Sequence, residues 1–220
     1  MKKAVIFDFD YTLGDSTEGI VKSTNYALMM LGEEEKTKEQ IRRTIGLSLQ
    51  ETYKVLTGRN DNTRAEVFKD FFIEEANRVM VDSTHLYDDT YHVLYSLKSD
   101  GFKVGIVTTK LNSRIQSILE KFNITKFIDV IIGVENVKNV KPDPEGLNLA
   151  CKKLRLNKEK VVYVGDSIVD AEAAQRAGIG FIGVLTGTTL RQEFYEYDNL
   201  HVCHDIDEVY KFVILNREEI

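Results

Sequence analysis

The chain has 220 residues, of which 43% are hydrophobic and 29% charged, and a formal net charge of -6 at pH 7. This length allows one substantial core, or one core with a smaller accessory domain. The acidic balance and the scattered basic residues argue against binding to a nucleic-acid backbone. No run of about 18 apolar residues predicts a membrane span, and Asp8 interrupts the first apolar run before it could form a signal peptide. We therefore expect a cytoplasmic protein without nucleic-acid or membrane partners.

Strands and helices are predicted to alternate over most of the chain. The predicted strands are short runs rich in valine and isoleucine, and apolar helical patterns lie between them. In the helix that begins near residue 112, Asn112 and Ser113 are candidate caps, and Gly178 is expected to end the helix that begins at Ile168. The alternation predicts an α/β fold with a Rossmann-like, doubly wound parallel sheet. The predicted strands are residues 4–9, 102–109, 127–133, 161–166 and 180–187.

Residues 17–84 break this alternation, because they show helical periods and no convincing strand. We expect an inserted all-helical domain of residues 15–85, and an α/β domain built from residues 1–14 and 86–220. The apolar faces of the insert predict a small helical core. The residues on these faces are Ile20, Thr24, Ala27, Leu28 and Leu31 in one helix, and Val67, Phe68, Phe71, Phe72 and Ala76 in another.

The two cysteines, Cys151 and Cys203, have no CxxC spacing and predict no disulfide framework, so we expect both in the core. The string HVCHD at residues 201–205 contains His201, Cys203 and His204. These residue types can bind metals, but no matching second pair of ligands occurs elsewhere in the sequence. We expect no metal site there.

Polar residues follow several of the predicted strands. Asp8 and Asp10 end the first strand, and side chains two residues apart in an extended chain point the same way. Two carboxylates this close require a cation or a shared proton. Ligands of open parallel sheets bind beyond the carboxyl ends of the strands, so these residues are expected to share one edge. The others in the set are Thr12, Thr108, Thr109, Lys110, Lys141, Asp166, Ser167 and Asp170.

The combination suits phosphoryl transfer through an aspartyl intermediate. A carboxylate can attack phosphorus while a hard divalent cation shields it from the incoming phosphate. Asp8, Asp166 and a backbone carbonyl suit Mg²⁺, and Asp10 is placed to move a proton. Thr108 and Lys141 would hold the phosphoryl oxygens. Taken singly, each group of residues has another interpretation, as a solvated turn or a helix cap.

Four motifs, in order, resemble the haloacid dehalogenase superfamily of phosphohydrolases. They are DFDYTLGDS at residues 8–16, VTTK at 107–110, VKPDPEG at 140–146 and GDSIVD at 165–170. The helical insert resembles the cap domain of this superfamily, in the branch that contains phosphoglycolate phosphatases and β-phosphoglucomutases. The resemblance implies an active site in the cleft between core and cap.

The resemblance also implies roles for individual residues. By motif, Asp8 is the nucleophile, Asp10 is the acid and base, and Lys141 completes the catalytic set. Thr108, Thr109 and Lys141 bind the substrate phosphate. An aspartate at position 10 favours a phosphatase or phosphomutase over a dehalogenase, which needs no acid for its leaving group.

The implied cofactor is Mg²⁺. By motif its ligands are Asp8, Asp10 and Asp166, and Asp170 supports the metal site. In this family the cap selects the substrate, and Gly46 and Ser48 lie in the segment IGLSL at residues 45–49 where specificity loops occur. Arg42 or Arg43 could meet a second anionic group, although a solvated helix face is the more ordinary place for an arginine.

The predicted function is hydrolysis of a small-molecule phosphate monoester by a Mg²⁺-dependent phosphatase with a phosphoaspartate on Asp8, similar to phosphoglycolate phosphatases. Two alternatives stay open: a phosphomutase of the β-phosphoglucomutase type, and a receiver-like signalling module. The expected partner is a small phosphorylated metabolite, and the chain is expected to be a monomer or a homodimer.

Two positions depart from the family pattern. Tyr11 stands where the family usually has glycine, which predicts a turn that avoids positive φ. The segment LYDDT at residues 86–90 replaces the Pro-Gly that often marks the return from the cap, so the end of the insert is less sharply marked in this sequence.

Overall fold

The computed structural model describes residues 3–217 of the chain. The chain divides into two compact units, one formed by residues 1–14 and 86–220 and the other by residues 15–85. Within the described residues, every helix is too short or too polar to cross a membrane.

The first unit is built on a parallel sheet of six strands in the order β5-β4-β1-β6-β7-β8. All five strands predicted from the sequence are present, although they are shorter than the apolar runs. The strand at residues 201–203 was not predicted. The six strands are β1 (Ala4–Phe7), β4 (Lys103–Val107), β5 (Val130–Ile132), β6 (Val161–Gly165), β7 (Gly180–Val184) and β8 (His201–Cys203); β2 (Gly14–Asp15) and β3 (His85–Leu86) are two-residue strands at the unit boundaries.

Helices connect successive strands of this sheet. The alternating residues of β1 separate its two faces, because Ala4 and Ile6 belong to a core cluster that Val5 and Phe7 do not join. Tyr163 and Phe181 continue that cluster on β6 and β7. The helices of the unit are α5 (Thr90–Ser99), α6 (Asn112–Lys121), α7 (Glu145–Leu154), α8 (Ile168–Ala177), α9 (Arg191–Phe194) and α10 (Ile206–Leu215), with 3₁₀ turns at Thr125–Phe127, Val134–Asn136 and Lys158–Lys160.

The position of β1 determines where a ligand can bind. The chain moves outward on one side of β1 through β4 and β5, then returns and moves outward on the other side through β6, β7 and β8. β1 therefore lies at the topological switch point, where open α/β sheets form a crevice at the carboxyl ends of the strands. Phe7, the last residue of β1, pairs with Ile106 and Val164 of the neighbouring strands. The residues that follow Phe7 consequently start at the centre of this edge.

The helix ends test the predicted caps. Gly178 has a φ of 67° and closes α8, as predicted. The cap prediction for α6 was wrong, because the helix begins at Asn112 and no side chain caps its N-terminus in the usual way. Instead, the backbone N–H of Asn112 donates to the carboxylate of Glu135 at 2.8 Å. A carboxylate from a neighbouring loop thus satisfies the group that a local cap would have bonded.

The second unit is helical, as predicted for the insert. Most of its buried apolar side chains form one cluster, in which Tyr53 and Phe68 lie with ring centroids 5.6 Å apart. Val67 was predicted to be in this core but is 38% exposed, because Phe68, Phe72 and Ala76 form the buried side of its helix. The helices are α1 (Thr17–Met30), α2 (Lys38–Arg42), α3 (Leu49–Thr57) and α4 (Asn62–Val79).

Both cysteines are buried and free, which confirms the prediction that they belong to the core. Burial raises the pKa of the Cys151 thiol. Burial, followed by the carboxylates of Glu208 and Asp205, raises the pKa of Cys203 to about 12. Both residues are therefore neutral thiols at neutral pH.

Candidate active site

The turn after β1 is tighter than the sequence suggested. Tyr11 has a φ of 58°, so the prediction that its side chain would exclude positive φ was wrong. Its backbone N–H donates to the Gly14 carbonyl at 2.8 Å, and its carbonyl accepts from the Thr186 hydroxyl. The Tyr11 side chain is also buried. These interactions offset the left-handed conformation, whose cost is about 1 to 2 kcal/mol.

Three carboxyl groups converge at the carboxyl edge of the sheet, and two of them contact one lysine. Asp8 follows β1, and Asp166 and Asp170 follow β6 and lie in α8 or just before it. Oxygen atoms of these three aspartates lie within 4.8 Å of one another, and all three residues are buried. The Nζ of Lys141 lies 2.6 Å from Asp170 Oδ1 and 2.9 Å from Asp8 Oδ1, and the second contact is an ion pair without hydrogen-bond geometry.

The electrostatics of this cluster follow from burial and from the excess of acids. Burial raises the pKa of Asp8 to about 6, against the opposing effect of Lys141. Burial and the neighbouring Asp170 and Asp8 raise the pKa of Asp166 well above its usual range. Burial opposes the charge on Lys141, but Asp170 and Asp8 together raise its pKa. Lys141 is therefore firmly cationic, whereas the carboxylates around it repel one another.

A buried tyrosine that the sequence analysis did not single out supports the lysine. The Tyr163 hydroxyl lies 3.1 Å from Lys141 Nζ, 2.8 Å from Asp170 Oδ1 and 3.1 Å from the Val107 carbonyl oxygen. Because the hydroxyl has a single hydrogen, it accepts from Lys141 and donates to one of the two oxygens. Burial raises the pKa of Tyr163 well above its usual value, so the group stays a hydroxyl. In the sequence, Tyr163 is one residue of an apolar strand and reads as core.

Asp10 has a lysine of its own. Its Oδ2 accepts a hydrogen bond of 2.5 Å from Lys110 Nζ, and both side chains are buried. Its Oδ1 is buried without a hydrogen-bond partner. Among the described residues, Asp10 is not part of the carboxylate cluster around Lys141.

The predicted phosphate binders come from the strand next to β1. Thr108 follows β4, and its backbone N–H donates to the Ile132 carbonyl at 3.0 Å. Its hydroxyl oxygen accepts from the N–H of Lys110 at 3.3 Å. Thr108 and Lys141 line the same small cavity. Thr109 is half-buried.

The residues around Asp8 fit a hard divalent cation. Three carboxyl groups lie around a single lysine there, so the fully ionised cluster has a formal charge of -2. In addition, Asp10 Oδ1 and Thr12 Oγ1 in the adjoining turn are buried without hydrogen-bond partners. Glycine at position 187 leaves room beside Asp166, since an added Cβ would lie 2.0 Å from Asp166 Oδ2. Clustered carboxylate oxygens are the ligands that such cations prefer.

The predicted specificity residues belong to the second unit. Ser48 Oγ accepts from the Glu51 N–H at 3.2 Å and caps α3, and Gly46 has a φ of 99°. Arg43 is exposed and pairs with Glu39 at 3.3 Å, and Arg42 lies 3.6 Å from the same carboxylate. A role for Gly46 and Ser48 in substrate selection stays a prediction.

The structure brings two residues of the HVCHD string together with a third possible metal ligand. His201 and Cys203 on β8 lie with Glu208 of α10, and their donor atoms are within 4.8 Å of one another. His201 Nε2 is 3.7 Å from Glu208 Oε1. The sequence analysis considered His201, Cys203 and His204 and expected no metal site; it did not consider Glu208, which the following helix supplies.

Comparison with known proteins connects this geometry to a family. Residues 5–184 match the haloacid dehalogenase-like hydrolases. The chain belongs to the haloacid dehalogenase-like hydrolase family. Over 174 residues it is 31% identical to the pyrophosphatase PpaX of Listeria monocytogenes serotype 4a (strain HCC23). The aligned region covers 79% of this chain and 78% of that protein.

Solved structures of the haloacid dehalogenase-like family share the fold. A Bacteroides fragilis protein assigned to these hydrolases is 40% identical and has a TM-score of 0.92, covering 95% of this chain and 100% of that one. A predicted phosphoglycolate phosphatase from Haemophilus somnus 129pt has a TM-score of 0.85 at 23% identity, covering 96% of this chain and 98% of that one, and it supports the fold alone. The predicted fold and the resemblance are confirmed, and the chain is a hydrolytic enzyme.

Proposed function

We propose that this hydrolase is a Mg²⁺-dependent phosphatase that hydrolyses a small phosphate monoester through a phosphoaspartate on Asp8. The observation that carries the proposal is the arrangement of Asp8 at the switch point of the sheet, 2.9 Å from Lys141 and in a cluster with Asp166 and Asp170. A nucleophilic carboxylate, a fixed cation and an excess of acidic ligands are the groups that phosphoryl transfer requires.

In the first step, a carboxylate oxygen of Asp8 forms a bond to phosphorus. The bond between phosphorus and the leaving oxygen breaks, and its electron pair stays on that oxygen. Asp10 gives its proton to the leaving oxygen, so the product departs as an alcohol. Lys141 and Thr108 hold the phosphoryl oxygens during the transfer.

In the second step, a water oxygen forms a bond to the phosphorus of the phosphoaspartate. The bond from phosphorus to Asp8 breaks, and Asp10 takes the proton of the water, which restores both carboxyl groups. Asp8 and Asp166, supported by Asp170, would hold the Mg²⁺, which when bound offsets the negative charge shared by Asp8 and the phosphate. The proton that Asp10 loses in the first step returns to it in the second, so the enzyme is unchanged after both steps.

A second candidate substrate is inorganic pyrophosphate. Its support is the 31% identity to a protein named pyrophosphatase PpaX, over most of both chains. A phosphomutase would use the same phosphoaspartate but pass the phosphoryl group to a sugar phosphate. The relative named a pyrophosphatase favours transfer to water over the mutase. Membership of a hydrolase family favours an enzyme over a receiver-like signalling role.

The test is phosphate release from a panel of compounds, measured with Mg²⁺ and with a chelator in its place. The panel contains phosphoglycolate, pyrophosphate, a nucleotide and sugar 1-phosphates. We expect metal-dependent release from the wild type and none from Asp8→Asn, while Asp198→Asn, which alters an exposed aspartate, behaves as the wild type. Conversion of a sugar 1-phosphate to its 6-phosphate faster than phosphate appears would support the mutase. Near-normal turnover by Asp8→Asn would overturn the mechanism.

A further inference from the structure

The two carboxyl oxygens of Asp10 have different surroundings. Oδ2 accepts a hydrogen bond of 2.5 Å from Lys110 Nζ, whereas Oδ1 is buried and has no hydrogen-bond partner. An aspartate carboxyl group otherwise rotates over a broad range about its last torsion. A bond to one oxygen restricts this rotation and gives the other oxygen a defined direction. The contact therefore distinguishes an oxygen that Lys110 holds from one whose hydrogen-bonding capacity is unused.

Lys110 is itself held in place. Its backbone N–H donates to the Thr108 hydroxyl at 3.3 Å, and its carbonyl accepts from the Val134 N–H at 3.0 Å. The chain packs closely here, since a Cβ on Gly133 would lie 2.7 Å from the Lys110 carbonyl oxygen. The Lys110 side chain is 7% exposed, so its ammonium group has little water to replace the carboxylate. A lysine fixed at its backbone and buried along its length can orient its partner.

We propose that Lys110 is the positioning residue for the acid and base of this enzyme. Lys110 holds Oδ2 of Asp10, and Oδ1 is the oxygen that gives the proton to the leaving group and takes it back from water. The inference rests on the proposed function, in which Asp10 performs these proton transfers. It assigns the two lysines of the site to separate tasks, because Lys141 contacts Asp8 and Asp170 instead.

Leaving groups of different acidity separate this role from others. An alkyl phosphate needs a proton on its departing oxygen, whereas 2,4-dinitrophenolate departs without one. We expect Lys110→Met to lower kcat/KM about 100-fold for an alkyl phosphate and less than about 3-fold for 2,4-dinitrophenyl phosphate. The ratio kcat/KM is the informative quantity, because it reports the steps up to formation of the phosphoaspartate.

Further variants complete the test. Lys110→Arg keeps a cation and should recover part of the alkyl phosphate activity. Asp10→Asn should show the same dependence on the leaving group, and adding Lys110→Met to it should change little. The matched control is Lys103→Met, which removes an ammonium group that donates to the Leu154 carbonyl. This control should leave both activities unchanged.

Two outcomes would overturn the proposal. An equal loss for both substrates with a raised KM would make Lys110 a substrate-binding residue, and no loss for either would remove it from the reaction. Turnover of 2,4-dinitrophenyl phosphate by the same preparation shows that the variant is folded, and Lys110→Gln replaces Lys110→Met if the latter does not fold. Failure of the proposed function would show separately, as full activity of Asp8→Asn on both substrates.

Discussion

The two aspartates of the turn after β1 lie two residues apart, yet the charged groups around them differ. Asp8 belongs to a group of three buried acids, two of which contact Lys141, so the acids outnumber the ammonium group by two. Asp10 bonds Lys110, so it has an ammonium group of its own. The Asp10 end of the turn thus has an ammonium group for its single acid, whereas the acids at the Asp8 end outnumber the lysine and leave room for a cation.

The largest expected difference between the two ends is in the dependence on the leaving group. Asp8→Asn should lower kcat/KM by about 10⁴-fold or more for every phosphate ester, because it removes the nucleophile. Asp10→Asn should lower it by about 10²- to 10⁴-fold for alkyl phosphates and far less for 2,4-dinitrophenyl phosphate. Steady-state kinetics on both substrates measure this. Equal losses for the two variants on all substrates would erase the distinction between the ends.

The next effect concerns the cation. Chelation of divalent metal should lower phosphate release about 1,000-fold, since charge stabilisation of this kind contributes several kcal/mol. Titration with Mg²⁺ should also raise the Tm of the wild type, and Asp166→Asn should remove most of that rise. Asp198→Asn, on the exposed surface, should respond to Mg²⁺ as the wild type does. An unchanged Mg²⁺ response in Asp166→Asn would place the cation elsewhere.

The pH dependence of stability should reveal the burial of Asp8 directly. The pKa of Asp8 rises from 3.8 to about 6 on folding, so the folded state keeps a proton in this range that the unfolded state has lost. Stability therefore falls as pH rises through this window, by up to about 3 kcal/mol for metal-free protein. Asp8→Asn lacks this group, so denaturant unfolding of the variant and the wild type should diverge between pH 4 and pH 7 by that amount. Saturating Mg²⁺ should shrink the divergence, and parallel curves without metal would contradict it.

The smallest effect is expected from changing Tyr163, whose hydroxyl contacts Lys141. Tyr163→Phe removes the hydroxyl that contacts Lys141 and Asp170, and should cost about 1 to 2 kcal/mol in the free energy of unfolding. It should also lower kcat several-fold while KM changes little, because the substrate still meets the same groups. Tyr95→Phe is the matched control, since Tyr95 is 53% exposed and packs its ring on Phe127. Equal effects of the two substitutions would reduce Tyr163 to an ordinary core residue.

The sequence predicted the sheet because buried parallel strands are continuous apolar runs with helices between them. It also located Asp8, Thr108, Lys141 and Asp166, because polar residues that follow such strands must meet at one edge. Tyr163 was missed because a tyrosine inside an apolar strand fits the strand's sequence pattern equally well whether or not its hydroxyl contacts charged groups.

Other features depend on contacts between distant parts of the chain. The bond from Lys110 to Asp10 joins residues 100 positions apart, and no local pattern distinguishes a lysine that pairs with an acid from one that binds phosphate. The positive φ of Tyr11 depends on a bond from Thr186, 175 positions away. Local preference disfavours that conformation, and tertiary contacts offset its cost.

The buried cysteines make the native chain a convenient background for chemical labelling. Cys151 and Cys203 are both shielded from solvent and both kept as thiols, whereas maleimides and alkyl iodides attack exposed thiolates. If one cysteine is introduced on the surface of each unit, these two residues should therefore react with a fluorophore or spin label while the native cysteines react little. Distances between such labels would follow any movement of the helical unit during turnover without prior removal of the native cysteines.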